Sequence, residues 1–581
     1  MSERYKALAF DIKQGKWLGF SSPVKTFICS DPEELVSMLD RIEQVVSEQG
    51  LWAVGWISYE ASSALDDALE THPHGDFPLA LFTLFSSADL LEELPVAPGE
   101  YLTDWEPSIS QSDYEGAIAQ IRRAIAAGDT YQVNFSMRLR SNSQVHPAGL
   151  FSSMVRNQRG AYSIYFDTAR FVVCSASPEL FFERDGDLIV SRPMKGTASR
   201  GCDPESDFAL STQLSSSDKE RAENIMIVDM VRNDLSRVAE RGSVAVKSLC
   251  AVETYPYVLQ MTSEVSARSA VPLGQVVRAL FPAASITGAP KPRTMRMIKE
   301  LESSPRNIYT GTVGVLAPSG RAWFNVAIRT ALIDRDACAV EYGVGSGIVW
   351  DSVGSAEYRE CLVKASAITR KPDMSELFET VLWEPRSGFF LLERHISRMQ
   401  RSALRLSIPF QESVLREKLL RLASTLDGQS NGQRIRMLLS RQGDVRCEVG
   451  ELRPLPARYT IALAKYPVCS SNQSLYHKTT DRTLYDSAEP EIADSVDVIL
   501  WNERGELTET RIANLVLEID GVRYTPPVAS GVLPGCYREE LLARGVVRER
   551  VLLKGDLQRA TRIRLINSLR REWDAQLLSV S

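Results

Sequence analysis

Within residues 177–201, SPELFFERDGDLIVSRPMKGTASRG, two short apolar runs, Leu180 to Phe182 and Leu188 to Val190, flank an Asp185-Gly186 step. Such a step between apolar runs is a strong hairpin signal, because glycine reaches the positive φ that a two-residue turn needs. The hairpin carries Glu179 into one strand and leaves Lys195, sixteen residues on, just beyond the other. Folding back brings such ends to the same side of a pocket, where a carboxyl can donate a proton and an amine can attack or position a substrate. A solvated glutamate and lysine flanking an ordinary hairpin is the competing interpretation.

The chain is 581 residues long. That exceeds a single core and sets an expectation of about three to four domains, or two large ones. Its 44% apolar and 24% charged residues are those of a globular protein, not of a disordered or coiled-coil one. A net charge of -7 argues against general nucleic-acid binding, so an anionic ligand must be met by local cations. The N-terminus MSERYKALAF shows no leader pattern and no run approaches eighteen apolar residues, so neither secretion nor membrane insertion is expected and the cytoplasm is. Nine cysteines (29, 174, 202, 250, 338, 361, 447, 469 and 536) include no C-x-x-C pair and are expected as reduced thiols. His72, His74, His146, His395 and His477 form no H-E-x-x-H pattern, which disfavours a zinc hydrolase.

In chain order, WLGF, TFICS, WAVGWISYE and LALFTLF are expected strands, with a helix over 31–49 capped by Ser30 or Asp31. Residues 93–111 are expected as a surface connection. A helix over 112–127 is expected from the capping box Ser112/Glu115, closed by Gly128. A strand over 131–139 sets Gln132, Asn134 and Ser136 on one face, either solvated or lining a polar site. A long helix over 216–241 places Glu220 and Glu223 one turn apart, suited equally to solvent or to a hard cation, with Ile225, Val228 and Leu235 facing the core. The loop broken by Pro282, Gly288, Pro290 and Pro292 precedes a helix whose first amides favour a carboxylate or phosphate. Then come Tyr309-Thr310-Gly311, a strand NVAIRTALI carrying Arg329, and Gly343 to Gly347 as a glycine-rich turn. A helix over 355–369 aligns Glu357, Glu360 and Lys364; Glu360 and Lys364 form either an ion pair or, with Glu223, part of an acidic metal cage.

SPELFFER, RPMKGT, SDKERAENIMIVDMVRND, FPAASITGAPKPRTM, YTGTVG, NVAIRT, GVGSGIVWDS and EYRECLVKA, in this order, resemble the chorismate-utilising enzymes of the anthranilate synthase component I family over roughly residues 5 to 370. The resemblance implies an α+β fold, a two-sheet sandwich with surrounding helices, and a pocket that binds chorismate through Mg2+. Position by position it implies Glu223 and Glu360 as metal ligands with Glu357 supporting through water, Glu179 as general acid, Tyr309, Arg329, Gly345 and Lys364 on the substrate carboxylates, and Thr197 near the ring. PMKGT, where anthranilate synthases have PIAGT, resembles the aminodeoxychorismate synthase branch, which makes Lys195 a covalent nucleophile at ring C2. Gln132 stands where isochorismate and salicylate synthases place a water-activating lysine, which disfavours water addition. Gln260 replaces a histidine found in many relatives, and Asn134 and Ser136 resemble tryptophan-binding positions of some.

The pattern resets near Lys371-Pro372, giving an expected chorismate-binding domain over 1–370, a linker over 371–376 and a second domain over 377–581. LLERHISRMQRSA, YHKTTDRTLYD, NERGELTETRIANLVLE and TPPVASGVLPGCYR resemble the fold-type IV, or class IV, pyridoxal phosphate enzymes, specifically its aminodeoxychorismate lyases. That implies two small α/β subdomains and a pyridoxal 5'-phosphate cofactor. Lys478 would form its Schiff base, Glu509 would face the pyridine nitrogen, and Arg398 with the amides around Ile512 and Ala513 would hold its phosphate. Together the resemblances imply conversion of chorismate and ammonia into 4-aminobenzoate and pyruvate for folate synthesis. Ammonia would come from a separate glutamine amidotransferase subunit or from free ammonium. A homodimer through the C-terminal half fits the second family. The competing expectations are an anthranilate synthase joined to an amino-acid aminotransferase, or one catalytically silent half.

Overall fold

The structure is a computed structural model that describes all residues except 1–3, 96–103, 144, 159, 202–203, 256–257, 370–374, 407, 427–430, 471, 493–494 and 579–581. The chain divides into two compact units near residue 373. Residues 371–374 of the expected linker lie outside the described residues, as do Cys202 and residues 96–103 of the expected connection over 93–111. No disulfide joins any two of the described cysteines. Among the described residues, no helix is long and apolar enough to cross a membrane.

The first unit contains two ten-stranded sheets. One runs from Gly288–Ala289 through Gln132–Ser141, Ala339–Ile348, Thr330–Asp334, Phe171–Ser177 and Tyr162–Asp167 to Ala7–Asp11, Lys16–Phe20 and Asp89–Leu91. The other runs from Met194–Ser199 through Val258–Arg268, Leu188–Arg192, Leu180–Asp185, Ala322–Val326 and Thr312–Leu316 to Trp52–Ile57, Ala80–Phe85 and Pro23–Cys29. Strand Ala80–Phe85 shows how the sandwich is built. Leu81 and Phe85 pack in the cluster shared by both sheets, whereas Ala80, Phe82 and Leu84 face the helix layer outside. Burial on both faces explains why LALFTLF is a nearly unbroken apolar run. Between the sheets Trp56 stacks on Phe77 at 5.1 Å and meets Phe166 edge-on at 5.4 Å. Outside, helix Leu35–Gln49 buries Leu35, Leu39, Ile42 and Val46, a stripe at helical spacing, and ends where Gly50 turns left-handed.

Several local expectations change. Helix Gln111–Ala126 is capped by Ser110, not Ser112: the Ser110 hydroxyl accepts the Asp113 N–H and donates to the Asp113 carboxylate, which fixes the helix start two residues earlier. A separate helix, Pro204–Ser216, precedes the one expected over 216–241, which runs from the Ser217 cap over Asp218–Ser236 and ends five residues early. Its core face carries Ile227, Val228, Val231 and Leu235, while Ile225 is exposed. NVAIRTALI is not one strand. Ala322–Val326 belongs to one sheet and Thr330–Asp334 to the other, and Arg329 takes φ 51° where the chain crosses. Residues 343–347 form no turn but lie inside strand Ala339–Ile348. Gln132, Asn134 and Ser136 face protein, all buried.

Ser136 is held by Glu302, just beyond helix Lys291–Leu301. Its carboxylate accepts from Ser136 N (2.9 Å) and Oγ (2.7 Å), Arg138 Nη2 (3.2 Å), and Arg306 Nε (3.0 Å) and Nη2 (2.7 Å). Burial alone raises its pKa, but Arg306 and Arg138 hold it below the ordinary value. All three side chains are nearly inaccessible, so removing the anion strands two buried cations. Glu302→Ala should cost about 3–5 kcal/mol. Hydrogen exchange should show lost protection in Gln132–Ser141 and Ala339–Ile348 but not in the second unit's strand Leu377–Glu384.

The second unit has a four-stranded antiparallel sheet, Gly388–Phe389, Leu377–Glu384, Gln433–Leu439 and Val445–Glu451. Helices Leu392–Arg405 and Glu412–Leu426 bury Ile396, Met399, Leu415 and Leu419 against Val381, Ile435, Met437 and Leu439 on one face. A nine-stranded mixed sheet follows, including Thr460–Leu463, Asp497–Trp501, Leu507–Thr510, Asn514–Ile519 and Arg562–Asn567. Two sheet-centred parts match the expected pair of α/β subdomains.

Candidate active sites

In the first unit the hairpin forms as Leu180–Asp185 and Leu188–Arg192, with Asp185 opposite Leu188 and Gly186 at φ 61°. Lys195 lies in the next strand, Met194–Ser199, which pairs with Val258–Arg268. Glu179 is buried and accepts a 2.6 Å hydrogen bond from the Ser285 hydroxyl. Burial pushes its carboxyl up to about 7, against the opposing pull of Ser285 and Lys195. A carboxyl poised there can still hold a proton near neutrality and give it up to a leaving group. The proline-broken loop therefore serves Glu179 through Ser285. At the start of the helix after it, Lys291 is tied to Asp234 (2.8 Å) and to the Pro282 carbonyl (3.0 Å).

Lys195 keeps some exposed surface, yet burial of its amine lowers its pKa. Glu223 opposes this, Lys364 adds to it, and Glu179 and Glu360 oppose it, so four charged groups act on one amine. The glycines of GVGSG make the floor. A Cβ on Gly347 would come within 2.2 Å of Gln132 Nε2 and 2.9 Å of Lys195 Nζ. A Cβ on Gly345 would lie 3.0 Å from the Tyr309 hydroxyl, and one on Gly343 would strike the Tyr309 ring at 2.1 Å. Only bare backbone lets Gln132, Lys195 and Tyr309 occupy this face. Lys364 donates to the Gly345 carbonyl (3.0 Å) and pairs with Glu360 (2.8 Å), both side chains partly in solvent. Thr197 donates to Gln260 Oε1 (2.9 Å), and Gln260 donates in turn to the Gly196 carbonyl (2.8 Å). Arg329 is half-buried, and burial of its guanidinium lowers its pKa, with Tyr342 and Tyr255 opposing.

Sequence reasoning missed Ser285 and also Asn224, whose amide donates to the Lys195 carbonyl at 3.2 Å. Asn224 sits next to Glu223 in a helix otherwise read for charge and apolar spacing, and nothing in that pattern marks it. Of the acidic residues, Glu357 accepts from Ser346, and burial raises the Glu223 carboxyl, with Lys195 opposing and Glu220 and Glu357 adding to the rise. Glu223, Glu357 and Glu360 do not close to a set of donors within 4.8 Å; among the described residues that spacing is reached by Glu379, His395 and Cys536. The open carboxylate set still fits a magnesium ion, which takes one or two carboxylates and keeps several waters, and which would relieve the acidic excess at Glu223.

In the second unit, Phe378 N–H donates to the Lys478 carbonyl (2.9 Å) and Thr480 N–H to the Glu376 carbonyl (2.8 Å), which ties the lysine segment to the start of strand Leu377–Glu384. Lys478 Nζ lies 4.8 Å from the Phe378 ring centroid. Burial, then Arg398, pushes its pKa down to about 8. Glu509 is buried, and burial raises its carboxyl to about 7. It accepts from the Tyr485 hydroxyl (2.9 Å), Asn514 Nδ2 (3.0 Å) and Leu533 N (3.2 Å). Arg398 donates twice to Glu379 (2.8 and 2.6 Å) and once to the Pro534 carbonyl (2.9 Å). Glu379 also meets His395 Nδ1 at 2.7 Å; against its burial, Arg398 and His395 hold it at about 2. An arginine therefore already balances this carboxylate, which is why the Glu379, His395 and Cys536 group needs no metal. Ile512 is exposed beside Arg511, while Ala513 spends its N–H on Thr510 Oγ1 (3.2 Å) and does not offer it outward. A lysine of lowered pKa, a carboxyl near neutrality and a guanidinium with two of its five N–H groups uncommitted fit pyridoxal phosphate, although the Ala513 amide does not.

Residues 90–370 match the chorismate binding enzyme family, and residues 376–576 match amino-transferase class IV. An anthranilate synthase component 1 of Haloarcula marismortui is 35% identical over 368 residues, 55% of this chain and 73% of that relative. Aminodeoxychorismate synthase component 1 of Bacillus subtilis is 38% identical over 46% of this chain, which spans only 57% of that relative's length. The crystal structure of anthranilate synthase component I from Streptococcus pneumoniae matches with a TM-score of 0.52 and 26% identity, over 63% of this chain and 92% of that one. The chain thus belongs to the chorismate-binding enzyme family, and behind that domain it carries a domain of the amino-transferase class IV family.

Proposed function

We propose that the chain makes 4-aminobenzoate in two steps, amination of chorismate in the first unit and loss of pyruvate in the second. The observation that carries this reading is Lys195 beside Gln132 at the bare Cα of Gly347. An amine of lowered pKa is a nucleophile, whereas an amide is no base for activating water. Lys195 would attack ring C2 of chorismate as the double bonds shift and the C4–O bond breaks. Glu179 would supply the proton with which the C4 hydroxyl departs as water. Ammonia then bonds to C4 and the Lys195 amine leaves C2, giving 4-amino-4-deoxychorismate. Tyr309, Arg329, the Gly345 backbone and Lys364 would hold the carboxylates, with Thr197 near the ring. Glu223 and Glu360, with Glu357 through water, would hold a magnesium ion, which would neutralise carboxylate charge on the substrate. Ammonia would arrive from a glutamine amidotransferase subunit or as free ammonium.

In the second unit Lys478 would anchor pyridoxal phosphate, Glu509 would face its ring nitrogen, and Arg398 with the amide of Ile512 would meet its phosphate. The cofactor would supply an electron sink. Lys478, once released, would take the proton from substrate C4 and return one to the departing enolpyruvyl carbon, leaving 4-aminobenzoate and pyruvate. The unit boundaries follow the two activities, residues 1–370 and 377–581, in a cytoplasmic enzyme that can pair through its second unit.

Purified chain given chorismate, magnesium, ammonium and pyridoxal phosphate is expected to form 4-aminobenzoate and pyruvate in equal amounts. Formation of 2-aminobenzoate would establish an anthranilate synthase instead, and absence of both 4-aminobenzoate and aminodeoxychorismate would sink the proposal. With ammonium withheld, mass spectrometry should find a chorismate adduct on Lys195 that Lys195→Ala abolishes. An adduct that survives that substitution places the nucleophile elsewhere.

A further inference from the structure

Lys195 sits at an interruption in its own strand. Where Met194–Ser199 pairs with Val258–Arg268, Met194 faces Thr262 and Thr197 faces Gln260, so Lys195 and Gly196 together stand opposite Met261 alone. Two residues against one make a β-bulge, and Gly196 takes a left-handed φ of 92° within it. A bulge breaks the regular ladder, so its peptide groups need other partners. Side-chain amides provide them. Asn224 Nδ2 donates to the Lys195 carbonyl at 3.2 Å, and Gln260 Nε2 donates to the Gly196 carbonyl at 2.8 Å.

Asn224 comes from helix Asp218–Ser236 and is buried. The helix lies against the bulge, since a Cβ on Gly196 would come within 3.1 Å of Glu220 Oε2. The other end of the Asn224 amide is fixed as well. Its Oδ1 accepts from the Ser263 hydroxyl, and Ser263 Oγ accepts the Cys250 N–H at 2.9 Å. Cys250 belongs to a second bulge on the opposite edge of Val258–Arg268, where Leu249 and Cys250 face Ser263 alone and Cys250 takes φ 55°. Asn224 thus ties together the interruptions on both edges of one strand. Its donor goes to the backbone of the residue that carries the candidate nucleophile, and it directly follows Glu223, whose charge acts on the same amine.

We propose that Asn224 is a positioning residue for the amination of chorismate, its anchored amide holding the bulge that aims the Lys195 amine at the ring. The inference deepens the reading of Lys195 as the attacking group and rests on it. An amine on a flexible four-carbon stem swings widely when the backbone beneath it rotates, and a misplacement of about 1 Å can cost about a hundredfold in rate. Other residues meet the substrate carboxylates, so the loss should fall on attack and not on binding.

The test uses the full chain with magnesium and pyridoxal phosphate, as Asn224→Ala and as Ser263→Ala, which keeps Asn224 but removes its anchor. With chorismate in excess and ammonium withheld, the rate constant for adduct formation on Lys195 should fall about tenfold or more in Asn224→Ala and less in Ser263→Ala, while the fraction of chain finally labelled stays near that of the unaltered protein. With ammonium present, kcat for chorismate consumption should fall in step, KM changing less than about twofold and the half-activating magnesium concentration staying the same. A rate constant left intact in both variants, whether or not the labelled fraction drops, confines Asn224 to holding the fold and overturns the proposal. A loss that excess magnesium restores assigns Asn224 to Glu223 and overturns it equally. If the unaltered chain forms no adduct while kcat still falls at constant KM in the variants, Lys195 is not the nucleophile, and Asn224 stands as the hold on an amine with another role.

Discussion

Burial of a lysine amine with incomplete charge compensation is the constraint on which both units turn. A lysine in water is almost wholly protonated near neutrality and does not attack carbon. Taking the amine out of water shifts it towards the free base, and nearby carboxylates shift it back. Around Lys195 that balance involves burial, Glu223, Lys364, Glu179 and Glu360, and the net direction is down. Around Lys478 burial and Arg398 outweigh Glu379 and Glu509. In each unit a buried carboxyl, Glu179 or Glu509, is itself pushed up to about 7. An amine lowered and a carboxyl raised give each unit groups able to exchange protons at neutral pH.

The scaffolds reach this state by different means. In the first unit a β-strand of alternating glycines removes every Cβ from the floor, and the Glu302 cluster holds the neighbouring strand by the Ser136 backbone and hydroxyl. Cation-aromatic contacts from Arg138 and Arg306 to Tyr309, at 5.1 and 5.9 Å, carry the same cluster to the edge of the site. In the second unit a helix supplies Arg398 and His395 to one side of the sheet through Glu379, and Phe378 on the other side packs against Lys478. Successive residues of one strand thus serve two faces with different tasks.

Much of this was legible in the sequence, for physical reasons that differ by element. The hairpin at 180–192 and the stripe of Leu35, Leu39, Ile42 and Val46 follow from local turn chemistry and spacing. The hairpin alone marks Glu179 and Lys195 as a candidate pair, whereas their roles, and Lys478 and Glu509 altogether, are legible only through ordered motifs that point to two families. Most of what remained hidden depends on contacts far apart in sequence. The break at Arg329 arises because the chain changes sheets, which no strand propensity records. GVGSG reads as a turn until Tyr309, Gln132 and Lys195 are seen resting on its bare face. Ser110 and Ser112 are equally good caps in isolation, and the reciprocal bond with Asp113 selects the first. Glu302 looks like one more glutamate after a helix, because Arg306, four residues on, reads as an ordinary local ion pair while Ser136 and Arg138 lie 166 and 164 residues away.

The claim that burial frees a lysine amine is tested most directly by the pH dependence of Lys478 acetylation in the cofactor-free chain, read peptide by peptide against exposed lysines after brief treatment with a trace of acetic anhydride. Half-maximal reactivity of Lys478 near pH 8 is the expected result, since the free amine predominates above its lowered pKa. A midpoint close to 10.5, the ordinary lysine value, would contradict the account.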